Sequence, residues 1–133
     1  MSGTPAISVV MSVYNGARYL HPAVESILEQ DFADFEFIIV DDGSTDGSGA
    51  ILLEFAEKDA RIRLIQRENR GLVASLNEAI ALARAPLIAR MDCDDIAMPD
   101  RFTRQIEYLA DHPEIAIVGS HIHEIDEDGA IVA

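Results

Sequence analysis

Residues 35–42 read FEFIIVDD, an apolar run that ends in two carboxylates. A short run with apolar side chains at nearly every position is typical of a strand buried on both faces of a sheet. The turn-rich segment GSTDGSG follows at 43–49, and Ile51, Leu52 and Phe55 then recur at helical spacing. This stretch therefore predicts a buried strand that leads through a turn into an amphipathic helix, the repeating unit of a parallel sheet.

The same alternation of strand and helix patterns continues on both sides of this stretch. The other apolar runs are AISVVMSVY (6–14), RIRLIQ (61–66), APLIARMD (85–92) and IAIVGSHIHEI (115–125). RIRLIQ alternates polar and apolar side chains, which places it near an edge of the sheet. The turn residues DEDG after the last run, followed by AIVA, predict a hairpin. We expect one α/β, Rossmann-like domain over residues 1–133, with a mostly parallel sheet and helices on both faces.

Composition excludes several classes of function. The chain has 133 residues and a formal net charge of −14, and its 10 basic residues form no cluster, which argues against a nucleic-acid partner. Cys93 is the only cysteine, so no internal disulfide or thiolate metal cluster can form. We find no signal-peptide pattern and no apolar run of ~18 residues, and hence expect no transmembrane segment. These features predict a cytoplasmic protein, and peripheral attachment at the inner face of the plasma membrane stays open.

Three predicted strands end in polar side chains that a hydrophobic core does not require. They are Ser12, Tyr14 and Asn15 after the first strand, Asp41 and Asp42 after the second, and Asp92, Asp94 and Asp95 after the fourth. In parallel sheets, ligands bind in the crevice at the carboxyl ends of the strands. If the first strand lies between the second and the fourth, all these groups converge on one crevice.

The run MDCDD at 91–95 is a candidate metal site. Carboxylates held close together raise each other's pKa, and a divalent cation relieves the repulsion between them. Mg²⁺ and Mn²⁺ prefer oxygen ligands, typically one or two carboxylates together with substrate phosphates. A solvated acidic loop would explain the same run, because aspartate is common in loops. The spacing alone leaves both interpretations open.

The segment DDGSTDGSG at 41–49 resembles several phosphate and ion motifs but fits none of them. Its glycine spacing differs from a dinucleotide fingerprint, and it lacks the Gly-Lys-Ser/Thr of a P-loop. A calcium loop would need a glutamate where Leu53 stands, and a helix rather than a strand before it. What remains is a tight turn that is expected to leave Asp42 exposed and able to accept hydrogen bonds from a base or ribose.

Four segments together resemble the family 2 glycosyltransferases in their order and approximate spacing. They are ISVVMSVYNGARYL (7–20), FEFIIVDDGSTDGS (35–48), ENRGLVASLNEAIALA (68–83) and LIARMDCDDIAMPDRF (87–102). The resemblance covers nearly the whole chain and implies an inverting enzyme with the GT-A fold. It also implies transfer from a nucleotide-diphosphate sugar, with a UDP-sugar favoured, to a carbohydrate or lipid-linked acceptor. Bacterial cell-surface polysaccharide synthesis is the context that it favours.

The resemblance also implies which residues form the site. Ser12 and Tyr14 match positions that contact the nucleotide base, with the tyrosine ring packing against it. Asp42 matches the aspartate that hydrogen-bonds the base. The remaining matches are Asn69 and Gly71 in the loop that borders the nucleotide, and Asp92 and Asp94 in the Asp-x-Asp motif that binds Mn²⁺ or Mg²⁺. Asp95 is a weaker candidate ligand.

The chain departs from the family pattern in one respect. In the family, the carboxylate that deprotonates the acceptor lies well beyond the Asp-x-Asp motif, in sequence that is not present here. We therefore expect the nucleotide-sugar-binding half of the domain without the acceptor-binding half. The resemblance therefore assigns the catalytic base to none of the residues of this chain.

Two other classes of protein place acidic groups at strand ends. A sugar-phosphate nucleotidyltransferase would want a glycine-rich basic loop after the first strand, where this chain has NGARYL with Arg18 as its one basic residue. A receiver-type domain, which binds without catalysing a reaction, would need an acidic pair after the first strand and a lysine after the last. The first strand ends in Tyr14 and Asn15, and the only lysine, Lys58, lies on a predicted helix. Both alternatives therefore fit less well than a glycosyltransferase.

Overall fold

The computed structural model describes residues 3–133, in which strands and helices alternate along the chain. The strands are β1 (Ile7–Val13), β2 (Phe35–Asp42), β3 (Ile62–Arg67) and β4 (Leu87–Arg90). The helices are α1 (Ala17–Leu28), α2 (Ser48–Lys58), α3 (Leu72–Leu82) and α4 (Arg101–Asp111). This is the α/β architecture that the apolar periodicity predicts.

The strands form one parallel sheet in the order β3-β2-β1-β4. β1 pairs with β2 from Ile7 opposite Phe35 to Val13 opposite Asp41. On its other side, β1 pairs with β4 as far as Val10 opposite Arg90. The first strand therefore lies between the second and the fourth, which is the condition for their polar ends to converge. RIRLIQ forms the edge strand β3, as its alternating pattern predicts.

Helices cover both faces of the sheet because alternate residues of a buried strand point to opposite faces. On β1, Val9 and Met11 pack into the larger core cluster with side chains from α1, α2 and α4. Val10 points the other way and packs with Ala79 of α3. Each fully buried side chain of this size, such as Phe37 on β2, contributes roughly 1.5–3 kcal/mol to folding. Both faces of the two central strands are therefore needed for the core.

The acidic loop between β4 and α4 is tied to α1. The side-chain amide of Gln30 donates to Met98 O at 2.6 Å and accepts from Phe102 N at 3.1 Å. Ser26 Oγ accepts from Ala97 N at 3.0 Å. Because Gln30 and Ser26 belong to α1 or its end, the first β–α unit sets the position of the loop that carries MDCDD.

The buried carboxylate of Glu36 joins three elements at the amino ends of the strands. It accepts hydrogen bonds from Ser8 Oγ at 2.5 Å, Arg84 N at 2.7 Å and Arg84 Nε at 3.1 Å. Burial alone would raise the pKa of Glu36, but the bonds from Ser8 and Arg84 outweigh it and lower the pKa. This cluster stabilises the sheet and lies away from the carboxyl ends of the strands.

The prediction of a strand over 115–125 is wrong for nearly all of that segment. Only Ile125 pairs, in an isolated antiparallel bridge with Ile131 across the predicted turn, in which Gly129 has φ +87°. Ile117 and Ile122 are 88% and 81% exposed. A strand needs a neighbouring backbone to pair with, and within residues 3–133 no strand is paired with 115–123. Among these residues, no helix has the length and apolarity to cross a membrane.

Candidate functional site

A crevice of about 380 Å³ opens at the carboxyl ends of β1, β2 and β4. Its lining contains every residue that the sequence assigns to the nucleotide-sugar site: Ser12, Tyr14, Asp42, Asn69, Gly71, Asp92 and Asp94. Three further lining residues, Leu72, Arg90 and Cys93, were not predicted as site residues. The sheet order brings these groups together, since they come from three strand ends and one loop.

The turn after β1 is held by the turn after β2. Asn15 has a left-handed backbone with φ +51°, which asparagine tolerates better than most residues, and it follows the half-exposed Tyr14. Three backbone N–H groups at the start of α1 donate to side chains of the GSTDGSG segment. These bonds are Asn15 N to Ser44 Oγ at 3.0 Å, Gly16 N to Ser48 Oγ at 3.0 Å and Ala17 N to Asp46 Oδ2 at 3.2 Å. The segment thus fixes the turn that leads into α1 and satisfies the N–H group of the first helical residue, Ala17.

Asp42 is buried, so the expectation that it is exposed is wrong. Its Oδ1 accepts from Arg67 Nη1 at 2.6 Å and from Arg70 N at 2.7 Å. Its Oδ2 accepts from Gly71 N at 2.9 Å and Asn69 Nδ2 at 3.2 Å. A carboxylate that leaves water needs such donors, and the loop after β3 supplies three of the four. Asp42 is therefore the anchor of the loop that borders the crevice.

These hydrogen bonds control the ionisation of Asp42. Burial alone would raise its pKa, but the bonds from Arg70 N, the Arg67 guanidinium and Gly71 N outweigh burial and lower it. Asp42 is consequently a charged carboxylate at neutral pH, and its cationic partner within the protein is Arg67.

Gly43 allows the loop to approach β2. Its backbone has φ +78°, and a Cβ at this position would lie 2.6 Å from Asn69 N. Both the left-handed backbone and the close contact require glycine here. The position of Asn69 in the crevice therefore depends on a glycine in a different turn.

Arg67 is a contributor to the site region that the sequence did not reveal. Besides Asp42, its guanidinium contacts Glu78 at 2.6 Å and Ser75 Oγ at 3.0 Å, both on α3. It thereby joins β2, β3 and α3 beneath the crevice. The only signal in the sequence is an arginine at the end of a strand with one polar face. Arginines at such positions are usually exposed to solvent, so the sequence gives no reason to expect a buried one.

Asp92, Asp94 and Asp95 form an exposed acidic cluster at one end of the crevice. One carboxylate oxygen from each lies within 4.8 Å of the corresponding oxygens of the other two. The pKa of Asp95 is raised, first by burial and then by the charges of Asp94 and Asp92. The three carboxylates repel one another, and their oxygens are the kind of ligand that Mg²⁺ and Mn²⁺ prefer. The cluster thus fits a divalent cation.

Cys93 packs beneath this acidic cluster. A Cβ on Gly16 would lie 3.0 Å from its Sγ, and burial is the largest cause of the raised pKa of the thiol. A protonated thiol is a poor nucleophile and a poor ligand. Cys93 therefore fills space between the turn after β1 and the acidic loop.

Residues 8–132 match the family described as Glycosyl transferase family 2. The chain belongs to this family. It is 40% identical over 131 residues to the putative glycosyltransferase EpsE of Bacillus subtilis, covering 97% of this chain and 47% of that protein. It is 41% identical over 131 residues to the uncharacterized glycosyltransferase MJ1057 of Methanocaldococcus jannaschii, covering 96% and 45%. The chain thus spans just under half the length of these family 2 relatives.

Solved glycosyltransferase structures share the fold. The mannosyltransferase PcManGT from Pyrobaculum calidifontis, in complex with GDP-Man and Mn²⁺, aligns with a TM-score of 0.74 and 27% identity, covering 84% of this chain and 34% of that one. TarS of S. aureus, in complex with UDP-GlcNAc, aligns with a TM-score of 0.74 and 26% identity, covering 80% and 32%. These similarities confirm the Rossmann-like GT-A fold.

Proposed function

We propose that this chain forms the donor-binding site of a glycosyltransferase that uses a nucleotide-diphosphate sugar. The observation that carries the proposal is the crevice, which the sheet order builds from polar ends of three strands. In open parallel sheets, this edge is where ligands bind. Family membership supports a transferase over other enzymes with the same kind of sheet.

The nucleotide is assigned to the side of the crevice formed by β1, β2 and the loop after β3. Tyr14 presents an exposed ring against which a base can pack, and Ser12 lies below it on β1. Asn69 and Gly71 border the base from the loop. Asp42 is assigned to a base N–H donor, which would replace the Asn69 amide, the longest of its four hydrogen bonds at 3.2 Å.

The divalent cation is assigned to Asp92 and Asp94, with Asp95 as a further candidate ligand. Their mutual proximity supports this assignment. A bound Mn²⁺ or Mg²⁺ stabilises the negative charge that grows on the diphosphate as the sugar bond breaks. The Mn²⁺ in the PcManGT complex supports a divalent cation for this fold.

Donor and acceptor are proposed at the level of chemical class. The two related structures bind different nucleotide sugars, GDP-Man and UDP-GlcNAc, and we favour a UDP-sugar for this chain. The acceptor is a hydroxyl of a carbohydrate or lipid-linked molecule, and the sugar is transferred to it with inversion of configuration. The proposed context is bacterial cell-surface polysaccharide synthesis at the cytoplasmic side of the membrane. Inversion needs a base to deprotonate that hydroxyl on the face opposite the leaving group. We assign this base to none of the described residues.

The structure favours neither of the two alternative classes. A nucleotidyltransferase would bind phosphates at the turn after β1, but the N–H groups of Asn15, Gly16 and Ala17 already donate to the neighbouring turn. A receiver-type domain would need a lysine near its aspartates. Lys58 pairs instead with Glu54 on α2 at 2.9 Å.

A thermal-shift assay with UDP, GDP, ADP and CDP, each with and without Mn²⁺, tests the proposal. A ligand at a hundred times its dissociation constant adds about 2.7 kcal/mol of stability, which such an assay detects easily. We expect one nucleotide to stabilise the chain, and Mn²⁺ to increase the effect. If none of the eight mixtures melts at a higher temperature than the chain without nucleotide, the proposed donor site is contradicted.

A further inference from the structure

Arg90 is the only basic side chain among the described residues that line the crevice. Three arginines from neighbouring parts of the chain have close carboxylate partners. Arg67 contacts Asp42 and Glu78, Arg70 pairs with Glu68, and Arg18 pairs with Glu127. Among the described residues that line the crevice, Arg90 is thus the one cationic side chain that could bind a ligand.

The backbone of Arg90 is fixed while its guanidinium is not. Arg90 is the last residue of β4, paired in register with the buried Val10, and its carbonyl accepts from Arg101 Nη2 at 3.0 Å. Its side chain is 58% exposed, and Nη2 lies 3.5 Å from Asp92 Oδ1. That distance is at the outer limit of a hydrogen bond, and an exposed ion pair of this kind contributes little stability. The guanidinium can therefore exchange Asp92 for a ligand at small cost.

The sheet directs Arg90 towards the ligand. Paired residues of neighbouring strands share a face, so Arg90 lies on the same face as Val10, which α3 covers. Ile88, two residues earlier on that face, is also exposed. This face of β4 is therefore open beside α3, and Leu72 at the start of α3 lines the same crevice. An arginine here points into the space between α3 and the acidic cluster.

The negative charges in and around the crevice exceed the positive ones, which favours a role for Arg90 in binding a diphosphate. Arg67 is already shared by two carboxylates, Asp42 and Glu78, and the three aspartates of the acidic cluster carry more negative charge than one divalent cation neutralises. A diphosphate adds further negative charge to that excess. Guanidinium groups bind phosphate oxygens through two parallel N–H donors, which makes them well suited to this task.

Building on the proposed donor site, we propose that Arg90 binds a phosphate oxygen of the donor diphosphate. In the free protein, its guanidinium lies beside Asp92. When the nucleotide binds, the guanidinium turns from Asp92 to the diphosphate, which leaves Asp92 available to the cation. Arg90 thus contributes to affinity for the diphosphate and not to recognition of the base.

The test compares wild type with Arg90→Met by NMR titration, using UDP and uridine, and GDP and guanosine, in the presence of Mg²⁺. Losing a charge-assisted hydrogen bond should weaken diphosphate binding by about ten- to a hundredfold and leave nucleoside binding within about threefold. Arg104→Met is the matched control, because Arg104 is an exposed arginine on α4 that pairs with Asp100, away from the crevice. Arg90→Lys, which keeps the charge but loses the paired donors, should fall between wild type and Arg90→Met.

A second measurement separates diphosphate binding from support of Asp92. Mn²⁺ affinity without nucleotide, followed by electron paramagnetic resonance, should stay unchanged or increase in Arg90→Met, because a neighbouring positive charge is removed. If Mn²⁺ and UDP affinities fall together, Arg90 only positions Asp92 and the inference is wrong. A wild type that binds no nucleotide overturns the donor site itself. A wild type that binds UDP as tightly as Arg90→Met overturns only the role of Arg90.

Discussion

Arg67 and Asp42 form a buried ion pair at the carboxyl ends of β3 and β2. Nη1 lies 2.6 Å from Oδ1, and the two side chains are 8% and 3% exposed. The same arginine reaches Glu78 on α3, and the same aspartate holds the loop that contains Asn69 and Gly71. The wall of the crevice on the nucleotide side is therefore built around a single ion pair.

Replacing Arg67 with methionine should destabilise the fold strongly. It leaves the Asp42 and Glu78 carboxylates without their cation, and breaking a buried pair from one side costs about 3–5 kcal/mol. Urea unfolding followed by circular dichroism measures the loss. Lys58→Met, which breaks the exposed pair with Glu54, serves as the control and should leave the unfolding midpoint nearly unchanged. Equal midpoint shifts in the two variants would show that the buried Arg67 pair contributes no more stability than an exposed one.

Stability should fall at acid pH because of Asp42 and Glu36. Their folded pKa values are lowered, because hydrogen bonds outweigh the opposing effect of burial. As pH falls below the ordinary carboxyl value of about 4, the unfolded chain takes up protons first, so the free energy of unfolding decreases. Their contribution is complete above that pH and lost as pH drops through the lowered folded values. Urea unfolding between pH 7 and pH 3 should show a shallower decline in Glu36→Gln, and a decline as steep as wild type would contradict this origin.

Gly43→Ala should displace the loop after β3. The substitution places a side chain in the left-handed region, at a cost of about 1–2 kcal/mol, and its Cβ would clash with Asn69 N. Nucleotide affinity should fall together with the melting temperature. Gly47→Ala is the matched control, because Gly47 has φ −72° and no heavy atom within 4 Å of the added Cβ. A loss of similar size in both variants would point to the turn as a whole and not to this contact.

Asp94→Asn should abolish metal-dependent nucleotide binding and leave the fold intact. The aspartate is exposed, so its charge contributes to the proposed cation site more than to the core. Calorimetry with UDP and Mn²⁺ measures binding, and circular dichroism checks the fold. Asp128→Asn in the C-terminal turn removes one exposed charge elsewhere and should behave as wild type. Unchanged Mn²⁺-dependent binding in Asp94→Asn would remove this residue from the metal site.

Tyr14→Ala should weaken nucleotide binding equally with and without metal. Stacking of a base on an aromatic ring contributes about 1–3 kcal/mol, so roughly tenfold weaker binding or more is expected. Because Tyr14 is 52% exposed, the melting temperature should change little. Tyr19→Ala, on the outer surface of α1, should bind nucleotide normally. An effect of Tyr14→Ala that appears only with Mn²⁺ would argue for a contact at the metal instead of stacking.

The apolar periodicity of the sequence predicts β1 to β4 and their helices, because buried strands and amphipathic helices need different spacings of apolar side chains. The same logic fails at 115–124, where apolar residues occur without a strand. Periodicity reports which side chains could be buried, whereas strand formation also needs a neighbouring backbone with free hydrogen-bonding groups. Local sequence does not contain that second requirement.

The sequence by itself determined the α/β class from its apolar periodicity, and the family from four motifs in order along the chain. These motifs also named most of the residues that line the crevice, but not Leu72, Arg90 or Cys93. Only the tertiary structure decided how those residues are used. Asp42 is buried because Arg67, 25 residues away, and the 69–71 loop donate to its carboxylate. Arg67 and Arg18 are occupied by partners from distant segments, Asp42 and Glu127, and such long-range pairing depends on how the elements pack.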